Sequence, residues 1–87
     1  CSDHAAYEAV PKRKLRIDIP KLRLWLVRRG GCEVALWTPS LIVVKWRDEA
    51  EVTIVDDGRM IIRNVAGQED ARRIAETILP EEAIRNS

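Results

Sequence analysis

Hydrophobic and polar positions along the second half of the chain predict a β-hairpin. The segment VTIVDDGRMIIRN, residues 52–64, places two runs rich in β-branched residues on either side of Asp57 and Gly58. An Asp-Gly pair accepts the positive φ angles that a two-residue hairpin loop requires. The cross-strand pairs predicted for such a loop are Val55 with Met60, Thr53 with Ile62, and Ile54 with Ile61.

An amphipathic helix is predicted directly after the hairpin. Its apolar positions recur at helical spacing, at Ala71, Ile74, Ala75, Ile78 and Leu79. Glu69 and Asp70 suit the first turn because negative charge is favoured at a helix N-terminus, and Pro80 ends the helix. The apolar stripe is expected to lie on the sheet.

A second helix is predicted earlier in the chain, over residues 19–29. Asp18 can cap it, Pro20 is tolerated in its first turn, and Gly30-Gly31 gives a left-handed exit. The side chains expected on its buried face are those of Leu22, Trp25 and Leu26, with the apolar stem of Arg29. The side chains expected to point into solvent are Lys21, Arg23 and Arg28.

Four further segments have the composition of strands. They are residues 6–10, the alternating Leu15-Arg16-Ile17, residues 32–37 and residues 41–47, with turns predicted at Thr38-Pro39-Ser40 and Asp48-Glu49-Ala50. Because side chains alternate along a strand, the last segment places Ile42, Val44 and Trp46 on one face. Its other face carries Leu41, Val43, Lys45 and Arg47. Both faces of the following hairpin are apolar at mid-strand, so we expect one of them to need a further cover.

These elements predict an α+β fold. We expect a four- to five-stranded, largely antiparallel sheet with two helices on one face, in the order β-α-β-β-β-β-α. At 87 residues the chain has room for one small domain, predicted over residues 1–80, with a flexible C-terminal tail over residues 81–87. Because the first residue is cysteine, we expect the chain to be a portion of a longer protein.

Charge is distributed unevenly along the chain although the net charge is +1. Residues 12–29 contain eight basic residues and one acidic residue, a net charge of +7, whereas residues 48–57 contain five acidic residues and no base. A basic segment of this kind can attract an acidic partner, but such blocks are more often solvated surface.

Few residues suit catalysis. His4 is the one histidine, and the two cysteines, Cys1 and Cys32, are too few for a disulfide framework or a zinc site within the chain. Cys32 is expected to be a small buried residue rather than a nucleophile, and no glycine-rich phosphate-binding pattern occurs. We therefore predict no catalytic residue in this chain. No apolar run could span a membrane and no signal peptide is evident, so a cytoplasmic location is expected.

Binding of nucleic acid is an alternative function. The basic segment 12–29 could contact phosphates, and Trp37 or Trp46 could stack on a base. Near-neutral net charge and the lack of a recognised nucleic-acid-binding motif count against this alternative.

With its elements placed, the chain resembles the small C-terminal region of adenylyltransferases of the ubiquitin-activating superfamily, particularly those of the thiamine and molybdopterin sulfur-carrier pathways. The similarity lies in Cys1, the segment IDIPKLRLWLV, the turn Asp57-Gly58-Arg59 and the helix residues Asp70-Ala71-Arg72. The resemblance implies a noncatalytic domain of an enzyme that activates a ubiquitin-like protein. It also implies that ATP, magnesium and zinc belong to the parent enzyme, with Cys1 a zinc ligand together with upstream residues.

The resemblance further implies a protein partner. In eukaryotic relatives the corresponding domain is ubiquitin-like and recruits the conjugating enzyme, so a ubiquitin-like fold is one candidate here. The expected partners are a ubiquitin-like modifier, a sulfur-carrier protein or a conjugating-type enzyme, and the open alternative is a module that only packs on its parent. The residues predicted to bind the partner are Lys21, Arg23, Arg28, Leu41, Val43, Lys45 and Arg47.

Overall fold

A computed structural model of the chain describes residues 6–12, 15–46, 50–80 and 83–85. Its elements, in chain order, are β1 (Tyr7–Ala9), β2 (Arg16–Ile17), α1 (Ile19–Arg29), β3 (Glu33–Trp37), β4 (Leu41–Lys45), β5 (Glu51–Val55), β6 (Met60–Arg63), α2 (Gln68–Ile78) and β7 (Ile84–Arg85). Five strands form one antiparallel sheet in the order β1-β6-β5-β4-β3, and β2 pairs separately with β7. The predicted α+β architecture is confirmed.

Helix α1 has the ends that its sequence predicts. The Asp18 side chain accepts a hydrogen bond from the backbone N–H of Lys21 at 3.1 Å, which satisfies one of the free donors of the first turn. At the other end Gly30 takes a φ of 77° and donates its N–H to the carbonyl of Leu26. Arg28 and Arg29 lie in the last turn, where positive charge is favoured by the helix dipole.

The core lies between the helices and one face of the sheet, called here the inner face. Helix α1 contributes Ile19, Leu22 and Leu26, and α2 contributes Ala71, Ile74 and Ile78. The strands contribute the buried side chains Ile42, Val44, Val52, Ile54, Met60 and Ile62, and Trp46 extends the same face beyond β4. No polar or charged residue among those described is buried, so burial of apolar surface is the main force that holds these layers together.

The loop between β5 and β6 is one residue longer than predicted. The N–H of Val55 donates to the carbonyl of Arg59 at 2.8 Å, so three residues, 56–58, lie between these backbone partners rather than two. Ile54 pairs with Met60, which shifts the hairpin by one residue from the predicted register. The N–H of Gly58 donates to the carbonyl of Val55 at 2.9 Å, and Gly58 alone in the loop has a positive φ, 97°. The predicted pairs of Val55 with Met60, Thr53 with Ile62 and Ile54 with Ile61 are therefore wrong.

Burial explains this register. Three loop residues place Met60 and Ile62 on the same face as Ile54, and all three side chains are buried. A two-residue loop would instead turn Ile61 and Arg63 toward the core, because a shift of one residue exchanges the two faces of a strand. Burying the Arg63 guanidinium without a partner would be costly, so the longer loop is favoured.

Asp57 holds this loop through two contacts with Arg59. Its carboxylate accepts the backbone N–H of Arg59 at 3.0 Å and the side-chain Nε–H at 2.8 Å. The backbone hydrogen bond from Arg59 is the largest cause that lowers the pKa of Asp57 from its usual value of 3.8. Desolvation, the second-largest cause, opposes it, and the hydrogen bond and charge of the Arg59 guanidinium lower the pKa further. The ionised form of Asp57 therefore stabilises the folded loop.

We expect Asp57→Asn to lower stability at neutral pH and to lose this effect in acid. A carboxyl whose pKa is depressed by folding contributes stability above its unfolded pKa and loses it as pH falls through the folded pKa. The urea midpoints of wild type and Asp57→Asn should therefore differ at pH 7 and converge below about pH 4. Asp56→Asn is the matched control, because the Asp56 side chain makes no hydrogen bond to the described residues. A midpoint difference that is constant with pH would contradict this role.

The second, two-stranded sheet closes the C-terminal end of the described chain onto the domain. Arg16 pairs with Arg85 and Ile17 with Ile84, the N–H of Asp18 donates to the carbonyl of Ala83, and Ala83 is fully buried. Residues 83–85 belong to the segment predicted as a flexible tail, yet they are packed, because the small Ala83 side chain enters the core. The predicted turn residues Asp48 and Glu49 lie outside the described residues.

Candidate protein-interaction surface

The face of the five-stranded sheet that points away from the helices, called here the outer face, has an apolar centre. The pairing register places on it Leu36 of β3, Leu41 and Val43 of β4, Thr53 and Val55 of β5, and Ile61 of β6. All six side chains are partly or fully exposed, and Leu36 is 56% exposed. An antiparallel sheet with one face in water usually carries polar side chains there, so this face departs from the common pattern.

A row of four charged side chains, called here the charged row, crosses one end of the outer face. Glu33, Lys45, Glu51 and Arg63 are successive cross-strand partners on β3, β4, β5 and β6. Their charges therefore alternate in sign from one strand to the next. Neighbouring unlike charges stabilise a sheet modestly, but none of the four forms an ion pair with another described residue. Within the described part of the chain, their charged groups therefore do not neutralise one another through ion pairs.

The residues predicted to bind a partner lie on two separate surfaces. Leu41, Val43 and Lys45 are on the outer face, as the alternation of their strand predicts. Lys21 and Arg28 are exposed on α1, which packs against the inner face. The two groups are therefore separated by the thickness of the sheet, and one flat partner surface would not contact both. Arg47 lies outside the described residues.

Arg23 does not point into solvent, so this part of the prediction is wrong. Its guanidinium carbon lies 4.8 Å from the centre of the Trp37 ring, a cation–π contact. The side chain is half-buried, and its Nε finds no hydrogen-bond acceptor among the described residues. The cause is the position of Trp37 on the inner face at the edge strand β3, where its ring meets the side of α1.

Of the two tryptophans predicted to stack on a nucleic-acid base, Trp46 offers little surface. Trp46 is 3% exposed, and the Arg29 guanidinium carbon lies 4.4 Å from the centre of its ring. Trp37 is 41% exposed, but Arg23 covers one face of its ring. Base stacking needs a free aromatic face, so Trp46 does not supply the platform that the nucleic-acid alternative requires.

The thiol of Cys32 is partly buried and free of any disulfide. Its Sγ lies 3.5 Å from the carbonyl oxygen of Leu26, and partial burial raises the pKa of the thiol although nearby Arg29 acts to lower it. Because the thiolate is the nucleophile of cysteine chemistry, a raised pKa disfavours reaction at neutral pH. Within the described residues there is no group of three or more histidine, cysteine, aspartate or glutamate side chains that could hold a metal ion. Cys1 and His4 lie outside those residues.

A groove of about 800 Å³ runs between α2 and the end of β4. Its polar lining comes mainly from Asn64, Asp70, Arg73, Glu76 and Thr77. The Thr77 hydroxyl donates its proton to the carbonyl of Arg73 at 2.8 Å. Among the described residues, the lining thus combines hydrogen-bonding groups of both charges with one hydroxyl whose proton is already engaged by a backbone carbonyl.

Sequence reasoning identified the β4 part of the outer face and missed the rest. It found Leu41, Val43 and Lys45, but Leu36, Val55 and Ile61 join them only through the register of neighbouring strands. Neither helix in the described part of the chain is long and apolar enough to cross a membrane. Compared with models of known protein families, with curated proteins and with solved structures, the chain matches none of them.

Proposed function

We propose that this chain is a noncatalytic protein-docking domain whose binding surface is the outer face of its sheet. The observation that carries the proposal is the apolar centre of that face, with both helices on the opposite side. Removal of apolar surface from water contributes about 25 cal/mol for each Å² buried. A partner that covers Leu36, Val43 and Ile61 would therefore gain binding energy that the isolated domain leaves unused.

The arrangement of charge supports the same function. Protein interfaces commonly have an apolar core and a polar rim, and the charged row borders the apolar centre at one end. Charges at a rim govern the orientation and specificity of a complex more than its affinity. The outer face thus combines a source of binding energy with a means of selecting one orientation.

The parent and the partner that the resemblance suggests are part of this proposal. The parent would be an ATP-dependent activating enzyme for a ubiquitin-like protein, and its ATP, magnesium and zinc would be bound outside this chain. A ubiquitin-like modifier, a sulfur-carrier protein or a conjugating-type enzyme would be the corresponding partner. Lys21 and Arg28 would then form a separate basic surface on α1, free for a second contact.

The proposal is tested by capture on the immobilised 87-residue chain from nuclease-treated lysate, with bound proteins identified by mass spectrometry. The test variant is Leu41→Ser with Val43→Ser, which removes apolar side chains from the outer face. The matched control is Leu24→Ser, because Leu24 is 54% exposed on α1. Circular dichroism and urea unfolding establish that each variant is folded.

We expect the wild type and Leu24→Ser to retain the same protein, and the double variant to lose it. Loss of retention at Leu24→Ser, or retention by the double variant, would place the binding surface elsewhere. Unfolding of the double variant would show that Leu41 and Val43 belong to the core. Retention of nucleic acid from an untreated lysate, falling steeply with salt, would favour the nucleic-acid alternative.

A further inference from the structure

The charged row is complementary to its own reversed copy. Across the sheet its order is Glu33, Lys45, Glu51, Arg63, that is, negative, positive, negative, positive. When the row is reversed, each negative charge falls opposite a positive one. This inference rests on the proposed function of the outer face as a docking surface but gives that surface another occupant than the resemblance suggests. We propose that the partner on the outer face is a second copy of this chain, packed face to face about a two-fold axis parallel to the strands between β4 and β5.

This axis sets the contacts of the charged row. A two-fold axis parallel to the strands exchanges β4 with β5 of the second copy, and β3 with β6 of that copy. Lys45 then lies opposite Glu51 of the second copy, and Glu33 lies opposite Arg63. Each contact occurs twice in the dimer because of the symmetry, so four unlike pairs form from one row of four residues.

The same axis also matches the apolar residues. Leu36 of β3 and Ile61 of β6 lie in one transverse row of the sheet, and the axis exchanges their two strands. In the dimer, Leu36 of one copy therefore lies opposite Ile61 of the other. Leu41 and Val55 are direct cross-strand partners and meet across the interface in the same way. Aligned sheets of this kind pack about 10 Å apart with interdigitating side chains, which excludes water from the apolar centre.

A face-to-face arrangement with its two-fold axis perpendicular to the strands is disfavoured by charge. To cover the apolar centre, this axis would lie along the row of Leu36, Val43, Thr53 and Ile61. Lys45 would then lie opposite Leu41 of the second copy and Glu51 opposite Val55, and burying a charge against an apolar side chain without a partner is costly. Charge therefore favours the axis parallel to the strands.

The size of the face predicts a weak dimer. The four strands that the axis pairs, about 4.8 Å apart and about 17 Å long, present a face of roughly 300 Å² in projection, which is small beside a standard interface of about 800 Å² of accessible surface per partner. Standard interfaces range from micromolar to picomolar affinity. We therefore expect a dissociation constant of about 1 µM or weaker, and association that depends on concentration.

The test is sedimentation velocity of the 87-residue chain from about 1 µM to about 1 mM, a range that spans the expected dissociation constant. The variants are Lys45→Glu and Glu51→Lys, studied separately and as an equimolar mixture. The control is Arg72→Glu, which makes the same reversal of charge on exposed Arg72 of α2, on the side of the sheet away from the outer face. We expect a wild-type dimer that each of the two row variants weakens about tenfold or more, whereas Arg72→Glu leaves it unchanged.

The equimolar mixture is the decisive measurement. In a mixed dimer the glutamate introduced by Lys45→Glu would face the lysine introduced by Glu51→Lys on the other copy. The second contact would keep its native pair, Glu51 of the first variant with Lys45 of the second, so dimerisation should return. Misfolding of either variant could not be repaired by mixing. A dimer that is insensitive to both row variants, or a mixture that stays monomeric, would overturn the proposed interface.

A monomer at every concentration would also overturn this inference. The capture experiment then tests separately whether the outer face is a docking surface. If the chain still retains a different protein through Leu41 and Val43, the docking function stands with another occupant. If it retains no protein, both proposals fail.

Discussion

Replacing Leu26 with alanine is expected to lower the free energy of unfolding by about 2–5 kcal/mol. Leu26 is fully buried in the last turns of α1, where it belongs to the core between the helices and the inner face. Its removal loses apolar burial and leaves a cavity that close-packed neighbours fill only in part. Small domains have total stabilities of about 5–15 kcal/mol, so this one change removes a large share.

Leu24→Ala is the matched control for this experiment. Leu24 lies two residues earlier on the same helix but is 54% exposed. Both changes replace leucine by alanine in one helix, so their effects on helix propensity nearly cancel, and the exposed change should alter stability by less than about 0.5 kcal/mol. Urea unfolding followed by circular dichroism measures both, at one protein concentration because association shifts apparent stability. Equal losses would show that Leu26 does not carry the α1 contact with the sheet.

The sequence predicts α1 well because its signals are local. Asp18, Pro20 and Gly30 act within a few residues of the helix ends that they define, and the structure places them as expected. The existence of the β5–β6 hairpin could be predicted in the same way from Asp57-Gly58. The length of the hairpin loop could not be predicted locally. It depends on which β6 side chains are buried under the helices, and the helices are distant in the sequence.

The residues of the candidate surface also divide into those that local sequence signals predict and those that depend on non-local pairing. Alternation within β4 predicts that Leu41, Val43 and Lys45 share a face, since that information lies in one strand. The charged row requires the register of four strands, which is set by non-local pairing. Helical periodicity misplaces Arg23 for a related reason. It assigns Arg23 to the solvent side of α1, whereas the Arg23 guanidinium packs on the ring of Trp37, which lies fourteen positions further along the chain.

Gly58→Ala is expected to cost about 2–5 kcal/mol, because two penalties add there. Gly58 has a φ of 97°, and a residue with a Cβ atom loses roughly 1–2 kcal/mol in the left-handed region. In addition, a Cβ atom built on Gly58 would lie 2.7 Å from Cδ1 of Leu15 and 3.0 Å from Cγ of Pro11. Relieving such an overlap in a packed region costs about 1–3 kcal/mol.

Two other glycines separate the two penalties. Gly31 has a φ of 77°, but a Cβ atom added there would have no neighbouring atom within 4 Å, so Gly31→Ala carries backbone strain alone. Gly67 has an extended φ of −177° and equally open space, so Gly67→Ala carries neither penalty. Urea midpoints should therefore fall least for Gly67→Ala, more for Gly31→Ala and most for Gly58→Ala. If Gly58→Ala and Gly31→Ala were equally destabilised, the contact with Leu15 and Pro11 would add nothing, and the loop would be limited by its backbone conformation alone.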